Sequence, residues 1–555
     1  MTSQKLKERF LVFFKKRGHK IVPSSSLIPE DETVLLTSAG MQQFKDYYLE
    51  GDSPYGQNTV SCQKSFRTSD IEEVGDKDHL TFFEMLGNFS FGGYFKEESI
   101  KLAKEFLDSI NIKIDYVTVF KGDKEVPKDD DSVKIWDKLG FSEEKGNLRL
   151  ENKEENFWGP TGDEGPCGPT TEIYSNDIEI WNIVFNEYYC NKDKKLKKLK
   201  NLGVDTGMGL ERLSVISQNK ETIFETDLFL PIIKKLEDLS GEKYEENKKE
   251  FRIIADHIRG AVFLISDNVV PSNIGAGYIL RRVLRRAIRY GRILNLKKDF
   301  LVPLAEEIIS IYKKDYPEIK SNETDIFSVI SKEEEKFEKT LERGLKEIER
   351  IPQMTGKKAF SIYETYGFPL EIIEEITKVK NREDFFKALK EHQEISRAGV
   401  GKKFSGLGKE ADYEAVKLHT ATHLLHQALR DVLGRQVKQM GSDITSKRLR
   451  FDFSHSARMT EKEIKKVEAL VNSKIKQDLE VKKEEVSYNK AVDSGALAFF
   501  KEKYPPKVTV YSINDFSKEI CAGPHAKRTL ELGKFKIIKE ESSGAGVRRI
   551  KAVLE

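Results

Sequence analysis

Two pairs of metal-ligand residues do most to restrict how this chain folds. His419 and His423 stand four apart in a segment of helical period, and Cys521 and His525 stand four apart about a hundred positions later. Residues at i and i+4 share one face of a helix. A Cys and a His from a second segment complete the four donors of a tetrahedral zinc site. A fold that uses all four must bring these distant segments together. A His-rich helix face is more often a set of core histidines, but two i,i+4 pairs of ligand-type residues are hard to explain otherwise. His426, seven residues from His419, shares that face and is the rival third ligand. Helix packing, or a hydrogen bond from behind the ligands, explains it better.

The chain has 555 residues, too many for one core. A net charge of +2 excludes a polycation, so any nucleic-acid surface must be a local patch. Cys62, Cys167, Cys190 and Cys521 suggest no disulfide framework, which fits a reducing cytoplasm. No window reads as a transmembrane span. Residues 4–17 have helical period, with Gly18 as a stop. Val60–Thr68 and His79–Phe91 read as two strand arms around the acidic loop Ser69–Asp78. Glu179–Tyr189 reads as a further strand, and the basic run Lys192–Lys200 as a hairpin tip. This mixture predicts an antiparallel α+β domain over 1–235. Residues 236–395 are helical in period, through Phe251–Lys298 and Leu301–Lys346. The Gly-rich stretch 396–410 reads as a linker. The last domain, 411–555, opens with a helix over Asp412–Leu433 ending at Gly434. A helix over Thr460–Gln477 and strands at Leu449–Phe453, Val508–Ser512 and Lys534–Lys539 follow.

Arg67 closes the first arm, and Phe83 and Glu84 stand on the second. A guanidinium beside an aromatic ring and a carboxylate suits a nucleotide. Val204-Asp-Thr-Gly-Met-Gly-Leu-Glu-Arg212 reads as a strand turning into a helix with Arg212 aimed at a ligand. Each motif alone is equally a packing feature. Together with Gly18–Pro29, Thr37–Lys45, Thr81–Gly92, Glu179–Phe185, Ile254–Arg259, Pro271-Ser-Asn273 and Gly277–Arg282, they resemble the alanyl-tRNA synthetases, a class II family, over nearly the whole chain. The resemblance implies an ATP-dependent ligase that attaches alanine to its tRNA through an alanyl-adenylate, with Mg²⁺ accompanying ATP. It implies that Arg67 holds the α-phosphate and Arg212 the terminal phosphates or the adenine face. Phe83 would lie under adenine, and Asp205 would pair with the substrate ammonium. Trp158, Asn182 and Val184 would form the alanine pocket. Leu80 stands where the family usually has a second histidine, Thr170 where a cysteine is common, and the Ser69–Asp78 loop looks shortened.

Arg281, Arg282, Arg285, Arg286, Arg289 and Arg292 alternate with an apolar stripe along Ile279–Arg292. Six arginines without one lysine, in a Lys-rich chain, favour phosphate contacts over a solvated face. By resemblance this is the part that recognises the tRNA acceptor stem. Asn273 would help to sense a G·U wobble pair, with Glu371 as the acidic partner. The last domain resembles the family's zinc-dependent editing domain, α+β in fold, with Gln439 contacting substrate. A pocket for alanine cannot exclude glycine sterically, and the serine hydroxyl adds little discrimination, so a second hydrolytic site for seryl- and glycyl-tRNA is implied. Ala522 and Pro524 depart from the family's usual Cys-to-His turn. The usual β-barrel insertion and C-terminal domain are not seen, so a minimal, monomeric form is expected. Three rivals are a tRNA-binding paralogue, a deacylase alone, and a threonyl-tRNA synthetase. Intact Arg67, Asp205 and Arg212 count against the first, and absent catalytic zinc ligands near Asp205 against the last.

Overall fold

A computed structural model of the chain describes residues 1–31, 33–50, 53–390, 412–455, 457–497, 507–521, 523–544 and 547–555. They form two compact units, Met1–Arg382 and Glu383–Glu555. The predicted 1–235 segment and nearly all of 236–395 belong to the first unit. The predicted linker, 396–410, lies outside the described residues.

Among the described residues, the first unit is built on a nine-stranded sheet. Its order is Lys20–Ile21, Asn58–Phe66, Phe82–Phe91, Leu196–Gly209, Ile178–Cys190, Gly165–Ser175, Tyr116–Phe120 and Leu148–Glu151, with Phe157–Trp158 pairing off Gly165–Ser175. The sheet is mixed. The first and last neighbours of that order pair in parallel, and every other pairing is antiparallel. The two predicted arms are the strands Asn58–Phe66 and Phe82–Phe91, buried almost throughout because both sheet faces are covered. Leu6, Phe10 and Phe14 of the helix Ser3–Lys15 join Leu86, Phe106 and Trp181 in the main core. Gly18 follows at φ +86°, a conformation that favours glycine.

The strand Gly165–Ser175 is hidden in the sequence because its Gly-Pro-x-Gly-Pro text looks like a turn. Gly168 is there for close approach: a Cβ on it would lie 1.8 Å from the Phe185 carbonyl oxygen of the next strand.

The helices Lys248–Ser266, Gly275–Ile293 and Glu323–Arg350 form the layer behind. Lys248–Ser266 is buried from Phe251 to its end. Phe263 stacks on Phe82 at 4.0 Å, and Asp256 accepts from the Thr81 amide and hydroxyl at 2.9 and 2.6 Å. The helical layer is thereby bonded directly to the second arm.

The second unit has the helix Tyr413–Leu433, N-capped by Asp412 and ending at Gly434, and the helix Glu461–Lys476, started by a Thr460–Glu463 capping box. A four-stranded antiparallel sheet runs Gln439–Ile444, Leu449–Ser454, Val547–Leu554, Phe535–Gly544. A three-stranded one runs Val481–Ser487, Lys507–Ile513, Ser517–Ile520. Among the described residues, no helix is long and apolar enough to cross a membrane.

Candidate active site and metal centre

A cavity of about 510 Å³ opens on the sheet of the first unit. Arg67, Phe83, Trp158, Asn182, Val184, Asp205 and Arg212 all line it. Arg67 follows the first arm, and its guanidinium lies 4.9 Å from the Phe83 ring centre. Asp205 and Val184 face each other on neighbouring strands. The strand Leu196–Gly209 runs without a break into the helix Leu210–Gln218, so Arg212 projects from the first helical turn. Its Nη1 donates to Glu179 Oε2 at 2.7 Å.

Glu84 is the exception. Neighbours on a strand point to opposite faces, so Phe83 and Glu84 cannot both reach the cavity. Glu84 is buried behind the sheet, where it accepts from Lys7 Nζ at 2.6 Å and Tyr316 Oη at 2.7 Å. It is a strut between sheet and helices, not a ligand residue.

Among the lining carboxylates that went unassigned in the sequence, two touch the predicted site residues directly. Glu172 accepts from Asn182 Nδ2 at 2.9 Å, and burial together with nearby Glu179 lifts it to about 7. Glu179 holds Arg212. The motif Glu179-Ile-Trp-Asn182 carried one of them in plain view. Asp205 stands apart, since among the described residues no donor bonds its carboxylate, and burial alone lifts it to about 7.

The arginine helix departs most from expectation. Arg282, Arg285 and Arg286 are buried. Arg285 binds Glu333 through Nε at 2.6 Å and Nη2 at 2.5 Å, and also the Gly367 carbonyl. Arg286 and Arg289 share Glu375, at 2.5 and 2.6 Å. Arg282 pairs with Glu72 and lies 3.8 Å from Glu371. Arg281 bonds Asn273 Oδ1 and sits 3.4 Å from Glu333. A helix with a buried cationic face needs buried counter-charges, and here they arrive from other helices and the loop between the arms. Arg282 and Arg285 are internal fasteners, not an open phosphate surface. Asn273 is exposed in the loop before the helix, and Glu371 accepts from Tyr278 Oη at 2.9 Å, one helical turn before Arg281.

In the second unit, ligand atoms of His419, His423, Cys521 and His525 all lie within 4.8 Å of one another. Two of the three imidazoles are hydrogen-bonded from behind. His419 Nδ1 donates to the Pro524 carbonyl at 3.2 Å. The Thr420 hydroxyl donates to the Val416 carbonyl, so at 3.4 Å it accepts from His525 Nδ1. His423 Nδ1 lies 3.5 Å from Glu519 Oε2. Protons fixed on Nδ1 of His419 and His525 leave their Nε2 lone pairs for a metal. The buried Nε2 of His525 has no protein partner, as a ligand atom requires. Burial opposes the Cys521 thiolate, but the clustered His419, His423 and His525 rings override it and hold the thiol down at about 2. Gly523 makes room, because a Cβ there would lie 2.3 Å from His419 Cε1. The four residues fit a divalent metal. His426 instead bonds Glu519 at 2.9 Å. Glu519 itself was missed, although it precedes Cys521 by two along a strand and so shares its face. Gln439 opens the first strand of the four-stranded sheet and bonds Ser442 Oγ at 3.1 Å. Ala522 lies outside the described residues.

A mixed sheet with flanking helices, one arginine after its first arm and another at a strand-to-helix junction, defines the catalytic unit of a class II aminoacyl-tRNA synthetase. Residues 5–464 match the family described as tRNA synthetases class II (A), and residues 508–551 match the threonyl and alanyl tRNA synthetase second additional domain. The whole chain aligns with all of an alanine–tRNA ligase from Borreliella afzelii at 46% identity, and with 99% of one from Treponema denticola at 46%. It also aligns with 80% of one from Thermotoga maritima at 38%. The chain belongs to the alanyl-tRNA synthetase family. It is an aminoacylating enzyme with an editing-associated second unit.

Proposed function

We propose that the first unit forms alanyl-adenylate from alanine and ATP and passes the alanyl group to alanine tRNA. The carrying observation is that Arg67, Asp205 and Arg212, from three distant stretches, line one cavity. Asp205 receives the alanine ammonium, a charge-assisted contact in a dry setting. Trp158, Asn182 and Val184 bound the methyl side. The alanine carboxylate attacks the α-phosphorus of ATP, whose Mg²⁺ enters with it, and pyrophosphate leaves. Arg67 stabilises charge on the α-phosphoryl oxygens in that displacement, Arg212 binds the distal phosphates, and Phe83 supports the adenine. Asn273 and Glu371 read the acceptor stem at its G·U pair. We place the enzyme in the cytoplasm as a monomer.

The second unit hydrolyses seryl- and glycyl-tRNA. His419, His423, Cys521 and His525 would hold Zn²⁺, which supplies Lewis acidity at the ester or a water of lowered pKa. Gln439 contacts the esterified nucleotide.

Alanine-dependent ATP–pyrophosphate exchange tests the first half. The parent should exchange, and Arg67→Ala should lose on the order of 100-fold or more. A parent inert with alanine and ATP overturns the reading.

A further inference from the structure

The buried arginine helix leaves open which cations meet the tRNA backbone. The strands Ile178–Cys190 and Leu196–Gly209 continue past the cavity as a hairpin ribbon, pairing Tyr188 with Lys198, Tyr189 with Lys197 and Cys190 with Leu196, and Gly165–Cys167 backs the first of them on its other side. A turn closes it, with Lys194 donating its amide to the Asn191 carbonyl at 2.9 Å. Residues 192–200 hold six lysines, Lys192, Lys194, Lys195, Lys197, Lys198 and Lys200, against one acid, Asp193. All six are exposed. Lys192 reaches Glu164 at 3.7 Å and Lys194 the Asp163 carbonyl at 3.4 Å. Among the described residues, Lys195, Lys197, Lys198 and Lys200 have no carboxylate partner. The arginine helix spends its charge on Glu333, Glu375, Glu371 and Glu72, while the ribbon keeps its own.

We infer that this ribbon binds backbone phosphates of the tRNA acceptor end and holds it as the terminal nucleotide enters the cavity. Val184 faces Asp205 at the cavity, and Tyr188, four residues further along its strand, faces Lys198. At about 3.3 Å per residue, Lys198 lies about 13 Å from that point, and the turn about 23 Å. Stacked RNA nucleotides advance roughly 3 Å each, so these distances correspond to phosphates roughly four to eight nucleotides from the reacting end. Lysines on a mobile stem act as point charges and suit a backbone read without sequence preference.

A competing role for the same lysines exists. Pairing with Phe82–Phe91 extends no further toward the tip than Gly203, so 196–202 present a free sheet edge among the described residues. Lysine guards such edges against association. One or two charges do that, whereas six with almost no acid among them form a site for a polyanion.

The inference rests on tRNA being a substrate, as the family requires, and its test reads binding apart from activation. The full chain with Lys195, Lys197, Lys198 and Lys200 all changed to Gln should keep alanine-dependent exchange without tRNA, which also reports folding. Its affinity for transcribed alanine tRNA should fall on the order of tenfold or more near 0.1 M KCl. The slope of log affinity against log salt should fall by about 0.7–0.9 for each phosphate that no longer meets a lysine. The matching change to Arg should keep both. Unchanged affinity and slope overturn the inference, as does a variant that only associates with itself while binding tRNA like the parent. A parent that binds tRNA through these lysines but shows no exchange would leave the ribbon standing and remove the synthetase reading instead.

Discussion

Replacing Asp205 by Asn should make the enzyme more stable and useless with alanine. An aspartate that ordinarily ionises at 3.8 is moved to about 7 here by burial alone. The folded state therefore holds a proton between those values that the unfolded chain releases, and stability falls as pH rises across that window. Above pH 7 the ionised carboxylate costs the empty fold about 4 kcal/mol, at about 1.4 kcal/mol per pH unit. Asparagine has the same shape and no charge. Urea unfolding at pH 8 should show Asp205→Asn more stable than the parent by a few kcal/mol, and the gap should close as pH falls toward 4. Alanine brings the missing counter-charge as its ammonium, so the variant should lose alanine-dependent exchange by on the order of 100-fold or more. In the parent, alanine affinity should fall about tenfold per pH unit below 7 as the carboxylate takes up its proton. A variant less stable than the parent at pH 8, or one with full exchange, refutes the idea that an unpaired buried charge waits for the substrate.

Other consequences are equally direct. His423→Ala should retain charging with alanine, lose bound zinc by elemental analysis, and accumulate seryl-tRNA; equal serine release by variant and parent would count against the metal assignment. Gly523→Ala should push the His419 ring aside and weaken zinc by about 10–100-fold in a chelator competition, with exchange in the first unit intact. Arg285→Gln leaves Glu333 only the Arg281 guanidinium at 3.4 Å and should lose about 1–3 kcal/mol of stability in denaturant titration, leaving the salt slope of tRNA affinity unchanged.

The four candidate ligands were legible because each pair is local. A helix sets His419 against His423, one short turn sets Cys521 against His525, and only the meeting of the two segments remained for the fold. Phe83 and Glu84 were a foreseeable error, since strand alternation alone forbids both from facing one cavity. Glu172 was hidden for another reason: its strand is spelled with Gly and Pro, and Gly168 serves a close approach between strands that no local pattern announces.

Sequence by itself pointed to the N-terminal helix, the helices of the middle region and of the last domain, the two arms, the candidate donor set and the family, because these follow from period, spacing and extended motif text. Tertiary structure decided where charge is spent. Arg285 and Arg286 look the same as solvated cations until Glu333, Glu375 and the Gly367 carbonyl close around them, and Lys198 and Lys200 look like surface filler until nothing does. Burial and counter-charge belong to pairs of residues far apart in the chain, so only the folded molecule fixes which cations remain free to meet a phosphate.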